Sequence, residues 1–584
     1  MSYEVMFQNA VSLHEAGQFD EAERLYRQIL ETAPNHPDVL NLLGLVAQAK
    51  GAQAEACSLF MQAIKYKPNE PSFYYNLAFS CKVANKPVEA LEYFKNVALL
   101  APQIKETYNE IALLLMQLGN VQDARKNWQY AIDLDNKYVE ALAHMAWSYR
   151  GENSGKAIVD LEALVSDFSS DAIVFYYLVQ LYMERGWLDK AWNAAIKAKD
   201  LAPTSDEIRV LLGRLSILDN KPENAKIYFA KAELINPNNI DALLGLANLY
   251  SKNNDFCEAE LRYKRVIELE PNNYDAHNNY AEMLQRCNRL AEALEEYRKA
   301  ILINPKSAES SNNLAMILRD TGDFDEALGL LFNALVYKPE MEEISINITE
   351  TLIMLSKNDS DKAIKIAENW FKNHSDNIFA KHINSVFKGE CIENNKIYTE
   401  KLFDNFADSY ELVMQNLDYS VPLAMARITG SLQGRIVDLG CGTGLVGQTL
   451  KNNRNQIIGV DISQKMLDVA SEKGVYDELI KADIEEYLTN NSDFDWAIAA
   501  DVFNYFGELS QIIKLLKNKK LAFTIEILDK DADYKIQNTG RYKHNPIYVE
   551  NLLRENGFDD ITKEEIILRT EDGVSVKGLI FKGE

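Results

Sequence analysis

The sequence predicts a multidomain protein of the α plus α/β class, in which an all-helical repeat array precedes an α/β domain with a mostly parallel sheet. Two observations predict this architecture. Small and aromatic residues recur every 34 positions through roughly two thirds of the chain, whereas short apolar runs alternate with helical stretches from residue 435 onward. The chain of 584 residues is also too long for one core, because single cores stop growing at about 250 to 300 residues.

Composition and charge limit the classes of function. A net charge of -25 argues against binding a phosphate backbone, which requires clustered Lys and Arg. The first residues carry acids and glutamine where a signal peptide needs a basic end and an apolar core, and no long apolar run occurs. The six cysteines show no CxxC pair and no histidine at ligand spacing, so we interpret them as reduced packing residues. We therefore expect a cytoplasmic protein that binds no metal, no nucleic acid and no membrane.

The 34-residue period is marked by alanines, by prolines twelve positions later and, in the first four repeats, by an aromatic residue four positions later. The alanines are Ala22, Ala56, Ala90, Ala124, Ala191, Ala225, Ala259, Ala293 and Ala327. One residue is missing near Gly151 to Gly155. A small residue lets two helices approach, an aromatic ring fills the groove between them, and proline ends the unit. The pattern resembles the tetratricopeptide repeat and predicts about eleven units over residues 1–377, stacked into a solenoid with a concave groove.

Asparagines recur on the predicted inner face of the repeats. They occupy the sixth position of their units and are Asn76, Asn279, Asn313 and Asn347. A carboxamide both donates and accepts, so a row of them can pair with the backbone of an extended peptide. The row resembles the asparagine ladder in the repeat domain of O-linked N-acetylglucosamine transferase, and the resemblance implies a protein or peptide substrate in the groove. Alternatively, these side chains lie on a solvated helix face or bridge adjacent repeats.

Residues 378–395 are predicted to form a linker or capping helix, and the pair Asn394 and Asn395 with the charges nearby indicates that the linker itself lies close to 388–396. The stretch FDNFADSYE that follows resembles the aromatic-acidic helix that precedes the nucleotide-type fold in many methyltransferases. This resemblance implies that Tyr410 roofs a ligand pocket. A helix that only covers the edge of a sheet is the alternative.

The last region, residues 396–584, predicts alternating strands and helices. The predicted strands are RIVDLG, IIGVDI, DELIKADI, FDWAIAAD and KLAFTIEIL, and EEIILRTE and VSVKGLIFK are predicted to form a hairpin with a turn at Asp572 and Gly573. A parallel sheet that ends in an antiparallel hairpin resembles the Rossmann-like fold of class I methyltransferases, which depend on S-adenosylmethionine (SAM).

The turn after the first of these strands reads DLGCGTGLVG. Gly440, Gly442 and Gly444 leave no side chain between the backbone and a flat ligand. The sequence also satisfies the GxGxxG pattern of dinucleotide sites, although a single match of this kind is weak. Asp438 would lie poorly beside a pyrophosphate, whereas it suits the ammonium group of SAM, either directly or through water. The sequence thus favours SAM over a dinucleotide.

Further acids follow the next two strands. Asp461 ends the second strand, where a carboxylate can accept hydrogen bonds from both ribose hydroxyls of either ligand. The methyltransferase resemblance implies that Asp483 and Ile484 flank the adenine, and that the cofactor site is completed by Cys441, Ile462 and Met466. The expected cofactor is SAM, which becomes S-adenosylhomocysteine, without a metal.

Two groups of residues are candidates for the chemistry. Asp501 follows the fourth strand, where class I enzymes present the acceptor; it is predicted to orient an amine, to contact the ligand or simply to cap a strand end. An NPPY-type motif is missing there, which leaves the acceptor atom open. The predicted loop after the fifth strand carries Arg541, Tyr542 and His544. His544 is the only histidine of this region and so the only possible imidazole base, with a surface histidine as the alternative.

The region from 396 to 584 resembles the predicted bacterial methyltransferases that carry tetratricopeptide repeats. We therefore hypothesise a SAM-dependent enzyme that binds a polypeptide in its repeat groove and methylates one of its side chains. One alternative is a small-molecule methyltransferase whose repeats serve assembly. Another is an adaptor whose SAM-binding domain is inert. The oligomeric state is left open.

Overall fold

The structure is a computed structural model that describes residues 3–168, 171–390, 396–529, 532–571 and 573–584. The chain divides into two compact units, residues 1–271 and 272–584. Asn394 and Asn395 of the predicted linker, Cys391 and the Asp572 half of the predicted hairpin turn lie outside the described residues. The predicted boundaries at 377 and 396 stay predictions.

The described part of the first unit contains helices only, and consecutive helices pack in pairs. The helices α1 to α16 are Tyr3–Glu15, Phe19–Thr32, Pro37–Ala49, Gln53–Tyr66, Pro71–Val83, Pro87–Leu100, Lys105–Gln117, Val121–Leu134, Val139–Trp147, Arg150–Asp167, Ala172–Glu184, Leu188–Leu201, Asp206–Leu218, Pro222–Ile235, Ile240–Lys252 and Phe256–Leu269. This arrangement confirms the predicted array of paired helices.

The periodic residues form the core of these pairs. The repeated alanines, such as Ala56 and Ala90, are fully buried, and so are the aromatic rings that follow them. The packing leaves little space, because a Cβ atom at Gly44 would lie 2.6 Å from Cε1 of Phe60. The repeat thus works as predicted, with small residues on one helix receiving a ring from its partner.

The fifth repeat contains the irregularity that the missing residue suggested. Helix α10 is broken at Asn153, whose φ of −154° and ψ of 83° are not helical. The side chain of Arg125 covers this region: its guanidinium donates to the hydroxyl and the carbonyl of Ser148, each at 2.8 Å, and lies over the ring of Tyr149. The register of the repeats resumes in α11.

The second unit contains the last three helix pairs, a further repeat-like helix and the α/β region. Its helices α17 to α31 are Tyr274–Arg286, Leu290–Ile303, Ala308–Thr321, Phe324–Tyr337, Glu342–Asn358, Ser360–Asn373, Ile378–Lys388, Lys396–Phe406, Tyr410–Asn416, Val421–Thr429, Leu445–Leu450, Gln464–Glu472, Ile484–Asn490, Ser510–Leu515 and Pro546–Glu555, and a 3-10 turn spans Phe503–Tyr505. None of the described helices combines the length and apolar character needed to span a membrane.

The strands β1 to β9 of the second unit are Gly434–Leu439, Asn455–Asp461, Glu478–Lys481, Trp496–Ala499, Lys520–Ile527, Tyr534–Ile536, Tyr542–His544, Ile561–Glu571 and Val574–Gly583. The parallel order β3-β2-β1-β4-β5 forms the centre, and β9 pairs antiparallel with both β5 and β8. The predicted fold class is confirmed, including the antiparallel hairpin at the end. Strands β6 and β7 were not predicted; they form a small hairpin whose second strand pairs parallel with β5.

Candidate active site

The glycine turn between β1 and α27 is shaped by close packing. Gly440, Gly442 and Gly444 all have positive φ values, of 67°, 53° and 89°. A Cβ atom at Gly440 would lie 2.6 Å from Cγ2 of Val502, so this position excludes any side chain. Close packing therefore accounts for glycine at position 440, and the predicted contact of the turn with a flat ligand stays a prediction.

Gly440→Ala is expected to lower the free energy of unfolding by about 2 to 4 kcal/mol, because the left-handed backbone and the contact with Val502 both oppose a methyl group. Gly474→Ala is the matched control: Gly474 has a φ of 62°, but no heavy atom of the described residues lies within 4 Å of where its Cβ would be. In urea unfolding, we expect the control substitution to lower the free energy of unfolding by only about 1 kcal/mol. Equal losses for the two variants would contradict the packing argument.

A cavity of about 870 Å³ opens above this turn, within the volume range of small-molecule sites. It lies at the carboxyl ends of β1, β2 and β4, where parallel α/β sheets bind ligands. The predicted site residues that line it are Tyr410, Gly440, Gly442, Asp461, Ile462, Met466, Asp483, Ile484, Asp501 and Tyr542. The fold thus brings most of the predicted cofactor residues to one cavity, whereas Asp438, Cys441 and Gly444 do not line it.

Two carboxylates occupy the cavity wall near the turn. Asp461 accepts hydrogen bonds from the backbone N–H groups of Gly442 and Ser463, at 2.8 and 2.9 Å. Burial raises the pKa of Asp461. Asp483 caps α29 and forms an ion pair with Lys396 at 2.8 Å. Both side chains are therefore held in fixed positions from which carboxylate oxygens can meet a ligand.

Asp438 lies at the end of β1 and is almost completely buried. Its Oδ2 accepts a hydrogen bond of 2.8 Å from the hydroxyl of Tyr476. Burial raises the pKa of Asp438 to about 7. Tyr476 was not identified from the sequence, because it lies outside the motif and reaches Asp438 only through the fold. A buried carboxylate with so high a pKa gains from a nearby positive charge.

Asp501, at the end of β4, adopts the left-handed backbone conformation with a φ of 58°. Such a conformation is uncommon for a residue other than glycine and often marks a functional site. The backbone N–H of Asp501 donates to Oγ1 of Thr524 at 2.7 Å, and the amide of Asn504 donates to Oδ1 at 2.8 Å. These contacts fix the carboxylate at the cavity wall.

A buried ionic network holds Asp501 from below. Arg569 is only 1% exposed and donates to both carboxylate oxygens of Asp501, at 3.3 Å. It also donates to Glu526 and Glu571, each at 2.6 Å. Burial alone would raise the pKa of Glu571, but the guanidinium groups outweigh burial and hold that pKa below its ordinary value. Arg541 adds a second cation, 3.0 Å from Glu571.

A β-bulge gives Arg569 its orientation. The pairing of β8 with β9 shifts register between Ile567 and Arg569, so that Leu568 is the additional residue. A bulge changes the face on which the following side chain lies. The sequence contains one signal for this network: Glu526 is a charged residue inside β5, a strand that is otherwise mostly apolar.

The three predicted catalytic residues of the GRYKH stretch lie in different surroundings. Tyr542 lines the cavity, and Arg541 belongs to the ionic network. His544 is fully buried on β7, where its Nε2–H donates to the carbonyl of Gly507 at 3.0 Å, and burial lowers its pKa to about 4. The predicted loop and the alternative of a surface histidine are wrong for residues 542–544, because these residues form the strand β7, in which His544 is buried. A role of His544 as a base stays a prediction.

The predicted asparagine row takes part in contacts between repeats. The amide of Asn76 donates to Asn41 at 2.9 Å, and that of Asn347 donates to Asn312 at 2.8 Å. Each pair joins one repeat to the preceding one. Asn313 is half-buried beside Tyr297, and Asn279 accepts from the amide of Asn278. The contacts of Asn76 and Asn347 are the bridging contacts of the alternative interpretation, whereas Asn278 and Asn279 belong to one helix. A role of the four residues in substrate binding stays a prediction.

Comparison with known proteins gives the identity of both regions. A family model described as a methyltransferase domain matches residues 436–519, and models described as tetratricopeptide repeats match residues 13–78, 244–305 and 296–329. The chain combines tetratricopeptide repeats with a methyltransferase domain. The methyltransferase match covers the glycine turn, Asp461, Asp483 and Asp501, which are the residues that the cavity brings together.

Individual relatives are similar to one region or the other. Over 121 residues the chain is 26% identical to the "Putative methyltransferase YqeM" of Bacillus subtilis (strain 168), an alignment that covers 20% of this chain and 49% of that protein. Over 162 residues it is 29% identical to the human "Cell division cycle protein 16 homolog", covering 26% of each chain. The chain thus spans about a quarter of the cell-division relative. A solved tetratricopeptide repeat protein from Parabacteroides merdae ATCC 43184 is 20% identical, covers 42% of this chain and 97% of its own, and has a TM-score of 0.39.

Proposed function

We propose that the protein is a SAM-dependent methyltransferase that binds a polypeptide through its repeats and methylates one of its side chains. The observation that carries the proposal is the cavity above the glycine turn, which gathers carboxylates from the ends of β2 and β4 and from the N-cap of α29. Because Gly440 and Gly442 line the cavity without side chains, a flat nucleoside can lie directly on the backbone there.

The charge of the cavity favours SAM over a dinucleotide. Five carboxylates line it, those of Asp461, Asp483, Glu485, Asp501 and Glu508, against the two ammonium groups of Lys396 and Lys514. A dinucleotide would bring a negatively charged pyrophosphate into this site, whereas SAM brings a sulfonium and an ammonium group. The residues present therefore fit SAM, with Asp461 as the partner of the ribose hydroxyls. Asp438 is buried and does not line the cavity, so we propose it as the partner of the ammonium through water.

When bound, SAM supplies a methyl group on a positively charged sulfur, and transfer to an acceptor is an in-line displacement. The protein mainly has to align the acceptor with that methyl group. Asp501 and Tyr542 lie on the cavity wall beyond the turn, and the ionic network keeps Asp501 in one orientation. We propose these residues, supported by Arg541, for positioning the acceptor.

The repeats support a macromolecular acceptor, since tetratricopeptide repeats commonly bind proteins. Within this proposal, Asn76, Asn279, Asn313 and Asn347 would contact the bound polypeptide with the parts of their amides that the contacts between repeats leave available. We further propose a cytoplasmic location in a bacterium, on the basis of the resemblance to bacterial repeat methyltransferases. Cell fractionation tests this location.

Incubation of the protein with tritiated SAM and cell lysate is expected to place label in a protein band. Label in small molecules alone would instead support the small-molecule alternative, and SAM binding without any turnover would support the adaptor. Asp461→Asn should weaken binding of S-adenosylhomocysteine by about 10-fold to 100-fold in calorimetry, because a hydrogen bond to a charged group is lost. Asp493→Asn is the control, since Asp493 belongs to the same domain but its side chain is 93% exposed.

A further inference from the structure

Helix α24 forms one wall of the cavity and is covered on its other side by the last repeats. The residues that face the cavity are Lys396, Thr399 and Phe403. On the opposite side Lys401 forms an ion pair with Glu342 of α21, and Tyr398 packs against α23. The positions of these residues correspond to opposite faces of one helix. Helix α24 therefore contacts the cavity on one face and α21 and α23 on the other.

The turn between β6 and β7 is the second structure that joins the repeats to the cavity. Asn538 in this turn donates to Ser356 of α21 at 3.4 Å. Arg541 and Tyr542 follow immediately, the first in the ionic network around Asp501 and the second on the cavity wall. The turn thus carries contacts with the repeats at one end and contacts with the candidate acceptor site at the other.

His382 of α23 touches both of these structures. Its imidazole ring is stacked on the ring of Tyr398, with 3.6 Å between the ring centroids and an angle of 10° between the planes. On the other side it lies against Gly540, where a Cβ atom would be 2.8 Å from Nε2 of His382. Gly540 has a φ of 79°, so glycine is required there by both the backbone and the contact. His382 itself is buried, with 4% of its surface exposed.

We propose that His382 is a positioning residue through which the last repeat helix, α23, sets the geometry of the methyltransferase cavity. A single ring fixes α24, which carries Lys396 and Phe403, and the β6–β7 turn, which leads through Arg541 into β7 at Tyr542. The repeats then do more than bind a partner, because they complete two walls of the site. The choice of S-adenosylhomocysteine as the ligand in the test rests on the proposed function. The contacts of His382 do not depend on that function.

The test uses the full-length chain and the variants His382→Ala, Tyr398→Ala and the double variant. Without ligand, hydrogen exchange is expected to rise in α24 and in residues 537–544 of both single variants, because each loses the stacked pair. In calorimetry, the dissociation constant of S-adenosylhomocysteine is expected to rise about 10-fold. The double variant should resemble the single variants, since the two rings act through one contact.

Two control variants separate positioning from loss of stability. His374→Ala removes an exposed histidine that follows α22 and should change neither readout. Trp370→Leu removes a buried ring of α22 that packs on Phe332, and should lower the melting temperature while leaving exchange in α24 and ligand affinity unchanged. His382→Phe, which keeps a flat ring on Tyr398, should restore affinity to within about threefold of the wild-type value.

The outcomes distinguish this inference from the proposed function. If His382→Ala loosens α23 alone, if it binds S-adenosylhomocysteine as tightly as the wild type, or if Trp370→Leu reproduces its effects, the inference is wrong and the proposed function is untouched. If the wild-type protein does not bind S-adenosylhomocysteine but the expected exchange pattern is found, the positioning role stands and the proposed function is wrong.

Discussion

Arg569→Ala is expected to lower the free energy of unfolding by about 3 to 5 kcal/mol, the loss typical of removing one partner from a buried ion pair. The guanidinium of Arg569 donates to Asp501, Glu526 and Glu571, and it is almost completely excluded from solvent. Without it, Asp501 and Glu526 remain shielded from solvent and Glu571 partly so, and Arg541 is a cation that still lies near Glu526 and Glu571. Urea unfolding of the full-length protein at neutral pH measures the loss.

The pH dependence of the stability of Arg569→Ala provides a second, independent test of the ionic network. In the wild type the pKa of Glu571 is depressed, so its contribution to stability is present above its ordinary pKa and is lost as the pH falls through the depressed value. In Arg569→Ala the unpaired carboxyls are expected to take up protons more readily. The difference in stability between wild type and variant should therefore be smaller at pH 5 than at pH 8.

Arg427→Ala is the matched control for the loss of an arginine. Arg427 forms an ion pair with Glu564 on the surface, and its side chain is 63% exposed. Exposed pairs of this kind contribute about 0 to 1 kcal/mol. Arg569→Lys should recover only part of the lost stability, because an ammonium group cannot form the same set of planar hydrogen bonds. Similar losses in Arg569→Ala and Arg427→Ala would show that the network does not stabilise the fold.

The features that the sequence predicted well are those that depend on residues close together in the chain. The 34-residue period predicted the helix pairs because each alanine and its ring pack within one repeat or against the next. The strands β1 to β5 were predicted from apolar runs that end in acids or turns. The same local pattern placed Asp461 at the end of a strand, and the methyltransferase resemblance implied Asp483 and Ile484; all three line the cavity.

The features that the sequence did not reveal depend on distant residues. Strands β6 and β7 have only three residues each, too few for a recognisable alternation, and β7 is fixed by its pairing with β5. This pairing is what buries His544. Arg569 reaches Asp501 only because β9 joins β8 to the centre of the sheet. The contact between Asn312 and Asn347, by contrast, could have been predicted from their offset of one repeat plus one residue.

S-adenosylhomocysteine is expected to bind more weakly at acidic pH because its ammonium group needs an ionised Asp438. With the pKa of Asp438 at about 7, the ionised fraction falls on the order of 20-fold between pH 7.5 and pH 5.5, and affinity should fall in proportion. Calorimetry at a series of pH values measures this change. Asp438→Asn should bind more weakly at neutral pH and show a flatter pH profile.

The ionisation of Asp438 should affect the stability of the unliganded protein in the opposite direction to its effect on ligand affinity. Because the folded pKa of Asp438 lies above its ordinary value, the contribution of this carboxyl to stability is complete at low pH and is lost as the pH rises through about 7. The ligand should therefore raise the melting temperature more at pH 7.5 than at pH 5.5.

Asp461 is the group most able to obscure this result, since burial raises its pKa as well. It is present in both the wild type and Asp438→Asn, so the difference between the two pH profiles isolates Asp438. The Tyr476 hydroxyl, which donates to Asp438, offers a further check. Tyr476→Phe removes a hydrogen bond that favours the carboxylate, which should raise the pKa of Asp438 and move the midpoint of the affinity profile to higher pH. A midpoint that is unchanged in both Tyr476→Phe and Asp438→Asn would assign the pH dependence to another group and remove Asp438 from the ammonium site.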